Sequence, residues 1–536
     1  MDVLAVKRRL EAIEPTVHKI CEVAGAPGIS ITVSSHGEHI YSLNAGFSNL
    51  ETRQPVTSAT RFPVGTMAKT FTASAAGALV AEGLLKWNTP IREIIPELHT
   101  TSPTVTENLT MVDLLSHRAG LGRSNFWWQG ASATPLLEKR DLLPFYNKMP
   151  ISGQFREDWG YSNWGYALAG EVIERLTGKS YSQVLREKVL APAGLNDTTF
   201  ESFDPSGAAN LALPYAALDD GSLHRLAHPT YNDKTIMAPA LGGVSTVEDL
   251  ANYCVCLLQA FKYESNANKN SAPPSIKHAL MQLSGHIFIG AALREKSYAF
   301  GWYRTELPNT VLGMGWNSIY VNKMPRIVPR THVGPLIAHG GSLPGYHTSI
   351  ALLPGIESSV VACTNSIALG DVSGWVCMAI IEVLVDTQEP SDYVALAAEA
   401  AQNAKMNVKN FQAKLEANRT NGAGPREIHE YVGTYRDEKR GWSIDVRRCA
   451  SSPSGMEVAF QGLDNQAWSL SHFERDTFLW LASREEQVKR GRMVTYPLVA
   501  DHFKLHFQEH QNRIDRILWK HELGASEETQ YLFKIT

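Results

Sequence analysis

The chain has 536 residues and a formal net charge of −4, with 44% apolar and 19% charged residues. A chain of this length and apolar content can bury a large core and is expected to form two or three domains. The nearly balanced charge gives no sign of attraction to nucleic acid or to an anionic membrane surface, so we expect neither as a partner. No apolar run reaches the length of a membrane-spanning helix.

Residues 1–11 predict an amphipathic helix with mixed charges, which lacks the uninterrupted apolar segment of a secretory signal. The cysteines have no spacing typical of a metal or redox site, and they stand at Cys21, Cys254, Cys256, Cys363, Cys377 and Cys449. Both observations favour a reducing, cytoplasmic location. We expect no metal and no other cofactor.

Residues 62–69 predict a strand end and a glycine turn that lead into a buried helix made of the small, apolar residues 71–85. The turn places Thr66 and Lys69 three residues apart on the first helical turn. Side chains at this spacing lie on one face, so the Lys69 amine can take the hydroxyl proton while Thr66 attacks a carbonyl carbon. The pair has the S-x-x-K spacing of serine acyl-transfer enzymes, with Thr in place of Ser.

Two later motifs fit the same chemistry. Tyr161 and Asn163 form a Y-x-N triplet that opens a helical pattern ending near residue 178, which places Tyr161 beside Lys69 as a second base. The third motif lies in residues 336–342, on a strand expected at the edge of the pocket, and contributes His339, Gly341 and Ser342. The long separations between the motifs suit a helical domain inserted between two parts of one α/β domain.

With these three motifs in this order, the chain resembles the β-lactamase-related family of class C β-lactamases, DD-peptidases, D-aminopeptidases, esterases and the lovastatin acyltransferase. The resemblance covers roughly residues 10–385 and extends to the segments at 27–33, 114–121, 192–198 and 240–246. It implies an α/β (α+β) fold of the β-lactamase/DD-peptidase type. Such a fold has an antiparallel sheet flanked by helices and an all-helical subdomain.

We predict three regions: a catalytic domain at 1–388 with the helical subdomain at roughly 85–235, a helix and linker at 389–427, and a C-terminal domain at 428–536. The helix is expected at 392–418 and the linker at 419–425. The C-terminal domain is expected to be a lipocalin-like antiparallel barrel, because aromatic residues alternate along its predicted strands at 431–435, 443–446, 455–460, 478–481 and 503–507. It would serve as a lid, as a dimer contact or simply as packing.

The resemblance also implies a role for each residue of the motifs. Thr66 would be the nucleophile, and the backbone N–H groups of Thr66 and Ser342 would hold the oxyanion. Lys69, kept neutral by burial, would be the base, and Tyr161 would pass the proton to the leaving group. Asn163 would orient Lys69 and the substrate, and His339 would line the pocket.

Thr66 departs from the pattern of the family, and this leaves alternatives open. Its extra methyl group restricts the side chain and crowds the approach to a carbonyl. If Thr66 is not the nucleophile, Lys69 and Tyr161 can still move a proton without a covalent step, as in a lyase, isomerase or cyclase. A further alternative is a protein that binds a ligand without turning it over.

Two features indicate the substrate. His339 is mostly neutral at pH 7, where the peptidases of the family have Lys, so a penicillin-like anion would lose an attractive contact. Trp127 and Trp128 lie in the segment 123–129, which is expected to overhang the site and favours an apolar small molecule. We therefore expect hydrolysis or transfer of an ester, thioester or amide acyl group, in secondary-metabolite biosynthesis, with a carrier-bound acyl chain as one candidate donor. The sequence does not predict the oligomeric state.

Overall fold

A computed structural model describes residues 3–132, 134–202, 204–205, 208, 210–266, 272–420, 424–493 and 499–535. The strands of the first part of the chain are β1 Gly28–Ser35, β2 Glu38–Asn49, β3 Gln54–Pro55, β4 Arg61–Pro63, β5 Tyr215–Ala217, β6 Leu223–Arg225, β7 Val244–Thr246, β8 Ile287–Phe288, β9 Lys296–Tyr298, β10 Tyr303–Glu306, β11 Pro335–Leu343, β12 Tyr346–Leu353, β13 Ser358–Thr364 and β14 Ser366–Ile367. Nine of them form an antiparallel sheet in the order β3-β2-β1-β13-β12-β11-β10-β9-β8.

The helices of this part are α1 Val3–Ala12, α2 Glu14–Ala24, α3 Ala68–Ala81, α4 Ile91–Ile94, α5 Pro103–Asn108, α6 Met111–Leu115, α7 Phe126–Gln129, α8 Leu142–Tyr146, α9 Asn163–Thr177, α10 Tyr181–Leu185, α11 Ala238–Leu241, α12 Val247–Ser265, α13 Ala279–Leu283 and α14 Val372–Leu384. Helices α4 to α10 fall between α3 and β5, which is the region where the inserted helical subdomain was predicted. α14 is buried on nearly all sides, because α2 and α15 (Tyr393–Ala417) pack over it.

The sheet separates two layers of helices, as the alternation of its side chains requires. On β12, Ile350 and Leu352 join the core formed by α3, α9 and α12. Ala351 and Leu353 point to the other face and join the core formed by α1, α2 and α14. The centre of the sheet is thus covered on both faces, and all eight residues of β1 are buried.

The C-terminal part forms a second sheet of nine antiparallel strands: β15 Gly433–Arg436, β16 Ser443–Arg448, β17 Met456–Phe460, β18 Ala467–Ser469, β19 Ser471–Glu474, β20 Thr477–Leu479, β21 Lys504–His510, β22 Arg513–Leu518 and β23 Tyr531–Lys534. Their order is β18-β17-β16-β15-β23-β22-β21-β20-β19. The two outermost strands, β18 and β19, are joined by Leu470 alone, so the sheet curls back almost onto itself. The short helices α16 Ile428–Tyr431, α17 Arg484–Lys489 and α18 Ala500–Phe503 accompany it.

This architecture confirms the predicted fold class, with its helix-flanked antiparallel sheet and its appended barrel-like sheet. The helix predicted at 392–418 is α15, which Asp392 caps at its N-terminus. The linker predicted at 419–425 includes residues 421–423, which lie outside the described residues. The domain boundaries at 388 and 427 stay predictions.

The barrel packs against the loop 123–132 of the first part. Oε2 of Glu522 accepts the backbone N–H groups of Arg123 at 2.9 Å and Ser124 at 2.7 Å. At the other end of the loop, Oε1 of Gln466 accepts the backbone N–H of Ala131 at 2.8 Å. Because two barrel side chains hold the loop by its backbone, the loop and the barrel form one packed surface.

Candidate active site

Thr66 lies in a single 3-10 turn, Gly65–Met67, directly before α3 rather than on the first turn of that helix. Gly65 has a φ of +57°, a conformation that glycine adopts most readily. The turn contacts β11 so closely that a Cβ on Gly341 would lie 3.3 Å from the backbone nitrogen of Thr66. A Cβ on Gly65 would lie 3.2 Å from the backbone nitrogen of Ser342. These close approaches bring the two predicted oxyanion donors to one place.

The Lys69 side chain is fully buried behind this turn. Its Nζ donates hydrogen bonds to Oδ1 of Asn163 at 2.7 Å and to the carbonyl oxygen of Ala240 at 2.9 Å. Burial lowers the pKa of the amine well below its ordinary value of 10.5. A neutral amine has two hydrogens and one lone pair. The two hydrogen bonds use both hydrogens and leave the lone pair able to accept a proton.

Tyr161 stands between Thr66 and the aromatic wall of the site. Its phenol is hydrogen-bonded to Thr66, and Lys69 Nζ lies 5.0 Å from the centre of its ring. Burial raises the pKa of the phenol well above its ordinary value of 10.0, with smaller contributions from Tyr303 and Tyr166, while the hydrogen bond to Thr66 opposes the rise. Tyr161 therefore keeps its proton at neutral pH. This favours a role as proton donor over the second base that the sequence suggested.

His339 lies buried on β11. Its Nδ1 donates to the carbonyl oxygen of Gly340 at 2.8 Å, so Nε2 is the nitrogen that accepts the hydroxyl of Tyr298 at 3.2 Å. Burial and the nearby Lys69 lower the pKa of the imidazole to about 3. The side chain is uncharged at neutral pH and contributes no positive charge to the site.

A cavity of about 410 Å³ opens beside Thr66. Tyr161, Asn163, His339 and Ser342 share its lining with Thr66, whereas Lys69 lies behind the wall. Much of the remaining lining is aromatic and comprises Trp128, Trp159, Tyr231, Tyr303 and Trp316. The volume is in the range of small-molecule sites, and the walls suit a flat or apolar group.

The structure brings only one of the two predicted tryptophans to this cavity. Trp128 lines it, and its Nε1 donates to Oδ1 of Asn125 at 3.1 Å. Trp127 instead packs into the interface with the barrel, where its ring centre lies 5.1 Å from that of Trp442 and 4.3 Å from that of His521. Successive residues on a helix point about 100° apart, so neighbours on α7 cannot face the same wall.

His117 and Asn125, for which the sequence predicts no role, contact the motif residues. Nδ1 of His117 accepts the backbone N–H of Ser162 at 3.1 Å, and its ring centre lies 4.4 Å from that of Tyr161. Oδ1 of Asn125 accepts Nδ2 of Asn163 at 3.0 Å. The segment 114–121 signalled the resemblance, but nothing in the sequence indicated these contacts.

The barrel also contributes to the cavity through Arg492, Met493 and Leu523. The sequence left its role open between a lid, a dimer contact and packing. Because its side chains form part of the wall beside Thr66, the barrel belongs to the site.

In the described ranges, no three His, Cys, Asp or Glu side chains come together as a metal-binding group. Among the helices of the described chain, none combines the length and the apolarity needed to cross a membrane. The six cysteines form no disulfide with one another.

Several other proteins are similar to this chain. The unguisins hydrolase ungD' of Aspergillus campestris (strain IBT 28561) is 26% identical over 365 residues, 67% of this chain and 62% of that protein. The match thus spans less than two thirds of this relative. The beta-lactamase of Escherichia coli (strain K12) is 23% identical over 370 residues, 66% of this chain and 88% of that protein. The esterase EstB of Burkholderia gladioli is 28% identical over 228 residues, 40% of this chain and 56% of that protein.

A solved structure has a related fold over the whole length. The octameric penicillin-binding protein homologue from Pyrococcus abyssi superposes with a TM-score of 0.56 at 20% identity and covers 100% of both chains. The profile of the family described as Beta-lactamase matches residues 16–371, well over half of the chain. The matched segment contains the Thr66, Tyr161 and His339 motifs. The chain therefore belongs to the beta-lactamase family.

Proposed function

We propose that this protein hydrolyses or transfers the acyl group of an ester, thioester or amide of an apolar small molecule, with Thr66 as the nucleophile. The observation that carries the proposal is Lys69, a fully buried amine with a lowered pKa and a free lone pair three residues after Thr66. The aromatic lining of the cavity supports an apolar substrate. Relatives named as a hydrolase and an esterase support an acyl-transfer reaction, and the unguisins hydrolase agrees with a role in secondary metabolism.

In the acylation step, Oγ1 of Thr66 bonds to the carbonyl carbon of the substrate and gives its proton to Nζ of Lys69. The carbonyl oxygen becomes an oxyanion, which the backbone N–H groups of Thr66 and Ser342 stabilise. The bond to the leaving group then breaks, and the leaving group takes the proton of the Tyr161 phenol. Lys69 returns a proton to Tyr161, so that both groups end in their starting states.

In the second step, water or an acceptor alcohol attacks the acyl-Thr66 ester and gives its proton to Lys69. The bond between the acyl carbon and Oγ1 breaks, and Lys69 gives the proton that it has received to Oγ1, which restores both the Thr66 hydroxyl and the neutral amine. A carrier-bound acyl thioester is one donor that this scheme accepts. Hydrolysis and transfer differ only in the molecule that attacks in this step.

Release of p-nitrophenol from acetyl, butyryl and octanoyl esters tests the proposal. Thr66→Val removes the hydroxyl at nearly constant shape and is expected to lower kcat/KM at least about a thousandfold. Lys69→Met is expected to have a similar effect. Thr70→Val is the matched control, because the Thr70 hydroxyl bonds to the carbonyl oxygen of Met67 and does not line the cavity.

The two alternative functions, proton transfer without a covalent step and ligand binding without turnover, predict different results for these variants. Full turnover of a natural substrate by Thr66→Val, together with loss in Lys69→Met, would select proton transfer without a covalent step, as in a lyase, isomerase or cyclase. Tight binding without turnover in the wild-type protein would select a binding protein.

A further inference from the structure

Tyr161, the proton donor of the proposed reaction, lies between α8 and α9, outside any helix or strand. Helix α9 begins only at Asn163. The phenol of Tyr161 is hydrogen-bonded to Thr66 and lines the cavity. A proton donor acts only while it stays within hydrogen-bond reach of the reacting atoms. The contacts that hold the backbone of Tyr161 therefore decide whether the donor is in place.

The backbone on both sides of Tyr161 is hydrogen-bonded to one residue, His117. The N–H of Gly160 donates to the carbonyl oxygen of His117 at 2.8 Å, and the N–H of Ser162 donates to its Nδ1 at 3.1 Å. The imidazole ring also packs on the phenol ring, with 4.4 Å between the ring centres. His117 thus contacts the residue before Tyr161, the residue after it and the Tyr161 side chain itself.

These contacts require one particular form of His117. A backbone N–H can only donate, so Nδ1 carries no proton and Nε2 carries it. Burial lowers the pKa of the imidazole well below its ordinary value of 6.5, which keeps the ring neutral and Nδ1 an acceptor at neutral pH. The backbone of His117 has a φ of +62°, a conformation in which His, Asn and Asp are enriched among residues other than glycine.

We propose that His117 is a positioning residue, which holds the phenol of Tyr161 where it can protonate the leaving group. The inference rests on the proposed function, since it concerns the proton that the leaving group takes. His117 is 2% exposed and does not line the cavity, so it acts through Tyr161 and not on the substrate. Without the acceptor at Nδ1, Ser162 loses its hydrogen bond and the phenol is no longer fixed. A misplaced donor slows those reactions whose leaving group cannot depart without a proton.

Two esters of the same acid separate this role from a general loss of structure. Ethyl butyrate releases an alkoxide, which has to be protonated, whereas p-nitrophenyl butyrate releases a phenolate that is stable without a proton. His117→Gly tolerates the positive φ and removes both the acceptor and the ring. It should lower kcat/KM about a hundredfold for the ethyl ester and less than about threefold for the p-nitrophenyl ester. The ratio kcat/KM is compared because it measures transition-state stabilisation relative to free enzyme and ester.

Further variants locate the effect. His117→Asn supplies an acceptor oxygen and tolerates the positive φ, so it should restore the wild-type ratio between the two esters. Tyr161→Phe should show the same selective loss as His117→Gly, and the double variant should lose little more than either alone. His117→Leu, which has the shape of Asn without an acceptor, replaces His117→Gly if circular dichroism shows that the glycine variant is unfolded. The control is His278→Gly, because His278 has a φ of +54° and lies outside the cavity lining.

The position of Tyr161 can also be measured without turnover, by fluorine NMR of 3-fluorotyrosine placed at residue 161. We expect a narrow resonance in the otherwise wild-type chain and in His117→Asn, and a broadened or split resonance in His117→Gly. Both variants lack the imidazole ring, so their comparison isolates the hydrogen bond to Ser162. An equal loss for both esters in His117→Gly, or equally narrow resonances in the two variants, would overturn the inference. If the resonances differ as expected but no acyl compound is turned over, the proposed function fails and the positioning of Tyr161 by His117 stands.

Discussion

Lys69 Nζ donates a hydrogen bond to Oδ1 of Asn163 at 2.7 Å, and this bond fixes the orientation of the amide. Nδ2 of Asn163 then points away from Lys69 and donates to Oδ1 of Asn125 at 3.0 Å. The amine thus meets a neutral acceptor where a carboxylate would have made an ion pair. An ion pair would favour the charged amine, so Asn at this position favours the neutral amine that the proposed reaction requires.

Turnover by the wild-type protein should depend on pH. Lys69 must be neutral to accept the proton of Thr66, so kcat/KM should rise with pH through the lowered pKa of Lys69 and then reach a plateau. Tyr161 keeps its proton because its pKa is raised, so no decline is expected up to pH 9. Ester hydrolysis measured between pH 5 and 9 checks this. A decline between neutral pH and pH 9 would contradict the assignment of Tyr161 as the proton donor.

Replacing Asn163 with Asp should shift the rise of kcat/KM to higher pH. The new carboxylate would stabilise the protonated amine and raise the pKa of Lys69 by about one to three units. Activity should fall on the acidic side of the shifted pKa and be partly recovered at higher pH. Asn163→Ala is the control, because it removes the hydrogen bond without adding charge and should lower activity at every pH. An unshifted rise of kcat/KM in Asn163→Asp would show that Lys69 does not titrate in the reaction.

Lys69 should also make stability depend on pH. Its pKa is lowered in the folded chain and returns to about 10.5 on unfolding, so the unfolded chain binds one more proton between these two values. The free energy of unfolding should therefore rise with pH in this window, by up to about 1.4 kcal/mol per unit. Lys69→Met lacks this contribution, so its stability relative to wild type should fall as pH rises from 7 to 10.

Urea unfolding at several pH values measures that difference. Lys188→Met is the control, because Lys188 is a surface residue paired with Glu82 outside the cavity. A difference between Lys69→Met and wild type that stays constant with pH would mean that Lys69 titrates alike in both states.

The three motifs were predictable because each of them lies within a few neighbouring residues. The spacing of Thr66 and Lys69, and the position of Tyr161 and Asn163 before a helical pattern, are properties of the local sequence. The local sequence pattern also predicted α15 and most of the barrel strands. The strand β11, which carries His339, was predicted for the same reason.

The other features of the site depend on contacts between residues that are far apart in the chain. The Trp127 side chain packs against Trp442 of the barrel, and Asn125 belongs to the site because it accepts a hydrogen bond from Asn163. Arg492 reaches the cavity only because the barrel packs on the loop 123–132. No local pattern encodes such packing, and so the part of the barrel in the site could not be predicted.

The link between the barrel and the base gives a further prediction. Glu522 accepts the backbone N–H groups of Arg123 and Ser124, next to Asn125, which holds Asn163. Glu522→Ala leaves those N–H groups without their acceptor and should lower kcat about tenfold, with a smaller change in KM.

The assay is run well below the melting temperature of the Glu522→Ala protein, so that unfolding does not account for the loss. Asp464→Asn is the control, since this barrel carboxylate is 95% exposed. A variant that melts earlier but keeps the wild-type kcat would limit Glu522 to a structural role.

Acylation of Thr66 can be detected by intact-mass spectrometry. Wild type, Thr66→Ser and Thr66→Val are incubated with activated esters and acyl thioesters, and any adduct is located by peptide mapping. We expect an acyl adduct on Thr66 in wild type, a similar adduct on residue 66 of Thr66→Ser, and none in Thr66→Val. An adduct that persists in Thr66→Val, or turnover of the same donors by that variant at the wild-type rate, would show that Thr66 is not the nucleophile.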